Sequence, residues 1–342
     1  MIDALLEKSL LPDFLIRTGI RGLLKQRLKE IEEPNIESQS EALKKFVNEL
    51  KNSPIAVKTK DANEQHYEVP TEFYQYVMGK HMKYSCCFFE TGKEDLTTAE
   101  AAMLELTTER AQLKDGDDIL ELGCGWGSLT LFMAAKYPNA KITAVSNSKT
   151  QKEHIDNQAK ERGLNNITII TCDMNDFTID SKFARIVSIE MFEHMRNYQQ
   201  LLNRVSGFLK DKGTLFIHIF VHKNSPYLFE VKDESDWMSK YFFSGGQMPS
   251  DHLFYYFNDD MKVTNHWRVS GMHYSHTAER WLENQDKNKK EIMNIFNKHY
   301  GKDEAVKWWS YWRVFWMSCS ELWKYRNGTE WFVSHYLMEK NK

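Results

Sequence analysis

The segment Glu121-Leu122-Gly123-Cys124-Gly125-Trp126-Gly127 brings a carboxylate and three glycines together behind a short apolar run. Glycine accepts positive φ and lets a ligand approach the backbone. In doubly wound sheets, the first strand-to-helix turn is where nucleotide-like ligands bind. The Gly-x-Gly-x-Gly spacing does not fit a dinucleotide phosphate loop, which speaks against a nicotinamide-dependent oxidoreductase, and no Gly-Lys-Ser/Thr follows. A carboxylate two places before the first glycine points instead to S-adenosylmethionine, whose ammonium it can hold directly or through water. A tight turn in another α/β protein is the competing reading. Ser146 and Asn147 end the next strand, with Gln151 a turn later, and these are neutral where an acid commonly grips the ribose hydroxyls. Asp173 and Met174 end the third strand, placed to accept from an adenine amino group and to pack on its ring; the plain alternative for Asp173 is a turn cap.

Glu190, Glu193 and His194 lie together in Glu190-Met191-Phe192-Glu193-His194-Met195, after the fourth strand. Carboxylates and an imidazole there suit general base work, and each acid also reads as a salt-bridged structural group. His218, in Leu215-Phe216-Ile217-His218-Ile219-Phe220, reads on its own as a hydrogen-bonded core histidine, and Cys86 as a small buried residue. Aromatic residues make up 13% of the chain, with 10 Trp, much of it after residue 225. They read as a bulky core, or as a pocket for something apolar or cationic.

These groups need a scaffold. Asp118–Leu122, Lys141–Ser146, Ile167–Thr171, Ala184–Ile189 and Thr214–Phe220 read as strands, alternating with helices at 128–137, 149–162 and 197–209. That alternation predicts an α/β fold with a doubly wound, mostly parallel sheet, Rossmann-like. Residues 1–60 read as an N-terminal helical extension, with Arg21, Lys25, Arg27 and Lys29 on a solvated face rather than a membrane-surface one. Residues 61–115 form a covering segment centred on Gln65-His66-Tyr67-Glu68-Val69-Pro70 and Tyr84-Ser85-Cys86-Cys87, followed by a helix from Thr97, with Thr98 as its cap. Residues 116–224 are the cofactor-binding core. Residues 225–342 hold a substrate-binding insertion without regular elements up to about 290, then helices at 287–300 and 304–326, then Trp331–Met338 returning to the sheet.

Composition narrows the partners. With 45 basic and 48 acidic residues the net charge is -3, against the basic excess of a nucleic-acid binder. No apolar run approaches a membrane span. Five cysteines without a C-x-x-C pair argue against a disulfide framework or zinc site and fit a cytoplasmic protein. No metal is expected, and nothing in the chain excludes a homo-oligomer.

Together these motifs, with Ser148-Lys149-Thr150-Gln151-Lys152-Glu153, Asn265-His266-Trp267, Tyr311-Trp312-Arg313-Val314-Phe315 and Asn327-Gly328-Thr329-Glu330-Trp331, resemble the cyclopropane-fatty-acid synthase superfamily of S-adenosylmethionine-dependent methyltransferases. Within it, the sequence is most similar to the coclaurine N-methyltransferase branch. The resemblance implies a class I methyltransferase fold in which Tyr84 and Ser85 close over the cofactor. It places Gly123 and Gly125 on its methionine part and Ser146, Asn147 and Gln151 near ribose and adenine. It implies that Glu190, Glu193 and His194 carry the chemistry. Lipid-modifying members hold a bicarbonate base, for which Cys86, Glu193, His218 and Tyr274 stand at matching places; N-methyltransferases carry an extra glutamate where those have glycine, here Glu190. The expectation is N-methylation of a small amine, of benzylisoquinoline-like kind, with Glu193 and His194 as base and Glu190 anchoring the ammonium. Aromatic faces such as Tyr255, Trp267 or Trp331 would help the cation. The alternative is an unsaturated lipid acceptor with bicarbonate; a non-catalytic cofactor binder is a third, weaker reading.

Overall fold

The computed structural model describes residues 2–57, 69–231 and 236–341. Gln65 to Glu68, expected to centre the covering segment, lie outside the described residues. Nine strands are formed among them: β1 (Asp118–Leu122), β2 (Lys141–Ser146), β3 (Ile167–Thr171), β4 (Phe183–Ile189), β5 (Leu209–His222), β6 (Tyr227–Leu228), β7 (Gln247–Met248), β8 (Met261–Val269) and β9 (Trp331–Lys340). Seven make one sheet in the order β3-β2-β1-β4-β5-β9-β8, with β6 and β7 pairing separately. The first five run parallel, and β9 and β8 are antiparallel additions. This is the doubly wound, Rossmann-like α/β fold expected from the sequence. Strand order reverses between β1 and β4, and a cleft opens at their carboxyl ends at such a switch point.

The central strands are near-continuous apolar runs because both faces are covered. On one face Ile119, Ile142, Val187 and Phe216 pack against the helices Leu96–Arg110 and Ser128–Lys136. On the other, Leu120, Ile186, Leu215 and Ile217 pack against Tyr198–Phe208 and the Leu43, Val47 and Leu50 stripe of Ile36–Lys51.

A second, aromatic cluster sits beside the sheet. The helices Gly271–Lys287, Lys289–Tyr300 and Lys302–Trp323 gather Trp281, Trp312 and Trp316 with Phe73 and Tyr74. The N-terminal helix Asp13–Ile31 is held against them by ion pairs: Arg17 grips Glu279 at 2.7 and 2.8 Å and Glu321 at 3.2 Å, and Arg21 meets Glu321 at 3.1 Å. Arg21 thus faces its own protein rather than a purely solvated surface. No helix among the described residues is long and apolar enough to cross a membrane.

Two expectations need correction. The helix expected from Thr97 starts at Leu96, capped by the Asp95 carboxylate accepting from the Thr98 N–H at 2.8 Å. Residues 225–290 are more regular than expected, since they contain β8 and the helix Gly271–Lys287. That helix begins where only glycine fits: a Cβ on Gly271 would stand 2.3 Å from the carbonyl oxygens of both Trp323 and Trp331. The close approach places Tyr274 one turn inside the helix, facing the sheet.

Candidate active site

The glycine turn after β1 is the floor of the cleft. Gly123, Gly125 and Gly127 all adopt positive φ, and a Cβ on Gly123 would lie 2.6 Å from the Met191 side chain. Two lobes meet there, sharing Gly123, Gly125, Gln151, Glu190 and His194. The first lobe holds Tyr84, Ser85, Glu121, Glu193 and Tyr274. The second holds Ser146, Asn147, Asp173 and Met174. The residues expected to bind a cofactor from three different strand ends therefore line two adjoining lobes with a shared wall.

The second lobe is pre-shaped. Ser146 Oγ donates to Gln151 Oε1 at 2.6 Å and accepts from the Ser148 N–H at 3.0 Å. That fixes the Gln151 amide with its Nε2 buried and without a partner among the described residues. Asp173 does cap a turn, accepting from the Asn175 N–H at 2.8 Å, while still lining the lobe. Asn175 in turn exchanges two hydrogen bonds with the backbone of Ala56, at 3.0 and 3.2 Å, and so docks the N-terminal region at this edge.

In the first lobe, Glu121 is buried and accepts from the Thr130 hydroxyl at 2.5 Å. Burial raises its pKa to about 8. Lys83, missed in the sequence, is also buried on this lobe, and its ammonium contacts the Ser85 hydroxyl. A lysine directly before Tyr84-Ser85 was the available signal. The Nε1 of Trp126 and Trp281, the Ser128 hydroxyl and Glu193 Oε2 are further buried polar atoms here without hydrogen-bond partners among the described residues. Buried polar groups rarely stay unpaired, so these atoms, with Gln151 Nε2, mark where a polar ligand belongs. The Glu121 carboxyl, the Lys83 ammonium and the polar second lobe fit the ammonium, carboxylate and nucleoside of S-adenosylmethionine.

Glu190 is the centre of the first lobe. It sits at φ 46°, a left-handed conformation costly for a side-chain-bearing residue. Its Oε1 accepts from the Cys86 backbone N–H at 3.0 Å and faces His218 Nε2 at 3.1 Å; Oε2 accepts from the Tyr274 hydroxyl at 2.6 Å. Cys86, His218 and Tyr274, the expected ligands of an anion, thus converge on the Glu190 carboxylate. Cys86 serves through its backbone; its thiol is turned to the Cys87 carbonyl and pushed well up by burial.

Glu193 and His194 stand in a short 3-10 turn beyond β4. Burial raises both carboxyls. For Glu190 the Lys83 ammonium, the Cys86 N–H and the Tyr274 hydroxyl pull the other way, whereas for Glu193 the Glu190 charge pushes further up. Glu190 is therefore the anion of the pair, and Glu193 holds a proton more readily. His194 stacks on Phe243 at 4.6 Å between the two lobes. The aromatic faces expected for a cation are elsewhere. Tyr255 is half exposed outside the cleft, Trp267 lies under Arg110, and the Trp331 indole donates to the Tyr227 hydroxyl at 3.1 Å. Phe220, Phe243, Trp281 and Phe315 line the lobe in their place.

The chain matches the mycolic acid cyclopropane synthetase family over residues 56–327. It is 41% identical over 339 residues to an (S)-coclaurine N-methyltransferase of Thalictrum flavum subsp. glaucum, covering 98% of this chain and 94% of that one. It is 30% identical over 223 residues to a cyclopropane-fatty-acyl-phospholipid synthase of Escherichia coli, covering 64% and 55%. A crystal structure of a coclaurine N-methyltransferase bound to N-methylheliamine and SAH superposes with a TM-score of 0.96 at 39% identity, covering 99% of each chain.

Proposed function

From the premise that the chain belongs to the mycolic acid cyclopropane synthetase family and is an S-adenosylmethionine-dependent N-methyltransferase, we propose that its acceptor is a small, partly aromatic amine bound in the first lobe. The relatives whose names state coclaurine as substrate support this class. The observation that carries it is the Glu190 carboxylate standing on the donors that an exogenous anion would need. Bicarbonate does not fit: it would set a second negative charge against Glu190 with no donor left among these three groups, so no step runs through it.

Bound cofactor supplies a methyl group on a positively charged sulfur, a good leaving group, so the protein mainly aligns and deprotonates. Lys83 and Glu121 hold the amino-acid end. The acceptor arrives largely as an ammonium, drawn to the Glu190 charge and faced by the Phe220, Phe243, Trp281 and Phe315 rings. Glu193 takes its proton, and the freed nitrogen lone pair forms the new N–C bond while the S–C bond breaks and its electron pair stays on sulfur. His194, at the junction of the lobes, relays the proton outward.

A transfer assay with labelled S-adenosylmethionine tests the reading on a panel of secondary and tertiary amines beside unsaturated phospholipid vesicles. Label is expected on an amine and unchanged by removing bicarbonate; label in an acyl chain overturns the acceptor. Cofactor contacts have their own test. Lys83→Met is expected to weaken S-adenosylhomocysteine binding about tenfold or more, the loss of a charge-assisted bond. By calorimetry, 5′-methylthioadenosine, which lacks the amino-acid end, should bind the variant as it binds wild type. Equal losses for both ligands would contradict the assignment.

A further inference from the structure

Behind Glu190 a row of groups runs away from the cleft. His218 Nδ1 is 2.9 Å from His335 Nε2, and His335 Nδ1 is 2.8 Å from an Arg110 guanidinium nitrogen. The two histidines face each other across β5 and β9, where His218 pairs with His335 in register, and both are fully buried. Arg110 is the last residue of the helix Leu96–Arg110 and lies over the Trp267 ring at 5.2 Å.

Arginine has only donors, so His335 Nδ1 must offer its lone pair. A neutral His335 then carries its proton on Nε2 and donates to His218 Nδ1. His218 in turn carries its proton on Nε2 and donates to Glu190 Oε1. An imidazolium at either position would oppose N–H to N–H and break a bond in the row. Burial and the positive charges of Arg110 and Lys83 hold both histidines well below the usual range; His218 acts on His335 too, as does His266 on β8. Lys83, Cys86, Cys87, Tyr274, Glu193 and Cys319 are further ionisable groups facing Glu190.

We propose that Arg110 is a positioning residue that sets the tautomers of His335 and His218 and thereby keeps Glu190 supplied with a fixed third hydrogen-bond donor. His218 is on this account never a base: it donates throughout the cycle. The proposal rests on Glu190 working in the methyl-transfer site, but its first test needs no turnover.

Full-length protein labelled with 15N-histidine, read by two-bond 1H–15N correlation, reports each tautomer directly. The signals lost in His218→Asn and His335→Gln identify the two rings. Both are expected neutral with the proton on Nε2, without titrating between about pH 5 and 8, where an ordinary histidine does. A proton on Nδ1 of either ring, or titration in that range, overturns the proposal. Turnover gives a second test. Arg110→Met should lower kcat about tenfold to hundredfold, the range for a lost orienting partner, with cofactor KM little changed, and Arg110→Lys, which still donates, should recover most of it. A folded Met variant with wild-type kcat, or a Lys variant as impaired as Met, contradicts the role.

Discussion

Glu193→Gln should lower kcat by about 10²–10⁴-fold, the usual contribution of a positioned general base, while S-adenosylhomocysteine binds as before. The side chain is buried with Oε2 unpaired among the described residues, lines the acceptor lobe and is isosteric with its amide, so folding should survive the change. Burial and the neighbouring Glu190 charge raise its pKa well above the ordinary glutamate range. A base must be ionised to act, so the wild-type rate should climb with pH through that raised value and fall as pH drops below it. The acid limb of kcat should thus lie above the ordinary glutamate pKa. Steady-state rates across pH, with calorimetry for the cofactor, check both parts. A variant that loses binding and turnover together would show a structural role instead.

Glu190→Gly should have an effect of comparable size, about a hundredfold or more on kcat, because it removes the charge that preorganises the lobe. It should also be reparable. Deleting the side chain frees the Cys86 N–H, the His218 Nε2–H and the Tyr274 hydroxyl, and it relieves the left-handed φ of 46°. Added formate or bicarbonate should enter and restore about tenfold of the loss, since these donors bind an anion strongly. Glu190→Gln, which fills the space, should not respond. Absence of rescue, or stimulation of the wild type by bicarbonate, would contradict the reading of Glu190 as a built-in anion.

The parallel half of the sheet was readable because its strands are unbroken apolar runs with helical spacing between them. The glycine turn, Ser146 and Asp173 follow from that layout, since each sits at or just beyond a strand end. The helix Gly271–Lys287 was not readable: its buried stripe is filled by Gly271, Tyr274, Ser275, Ala278 and Gln285 as well as Trp281 and Leu282, so small and polar residues hide the period. β8 was missed because an edge strand buries few residues, here Met261 and Val269. Lys83 immediately precedes the Tyr84-Ser85-Cys86-Cys87 motif, but its burial could not be read from residue type. Arg110 and His335 lie 225 residues apart, and only pairing of β9 with β5 brings them to the site. Two histidines in apolar strands, at 218 and 335, were the one hint available.

The placement of β9 between β5 and β8 has a consequence for synthesis. β8 leaves the ribosome before β9, yet it has no place in the sheet until residues 331–340 arrive to separate it from β5. Until then the β5 edge lacks its neighbour, and an open strand edge is prone to pairing with other chains. His335 arrives with β9, so the row behind Glu190 is completed in the same event that closes that edge.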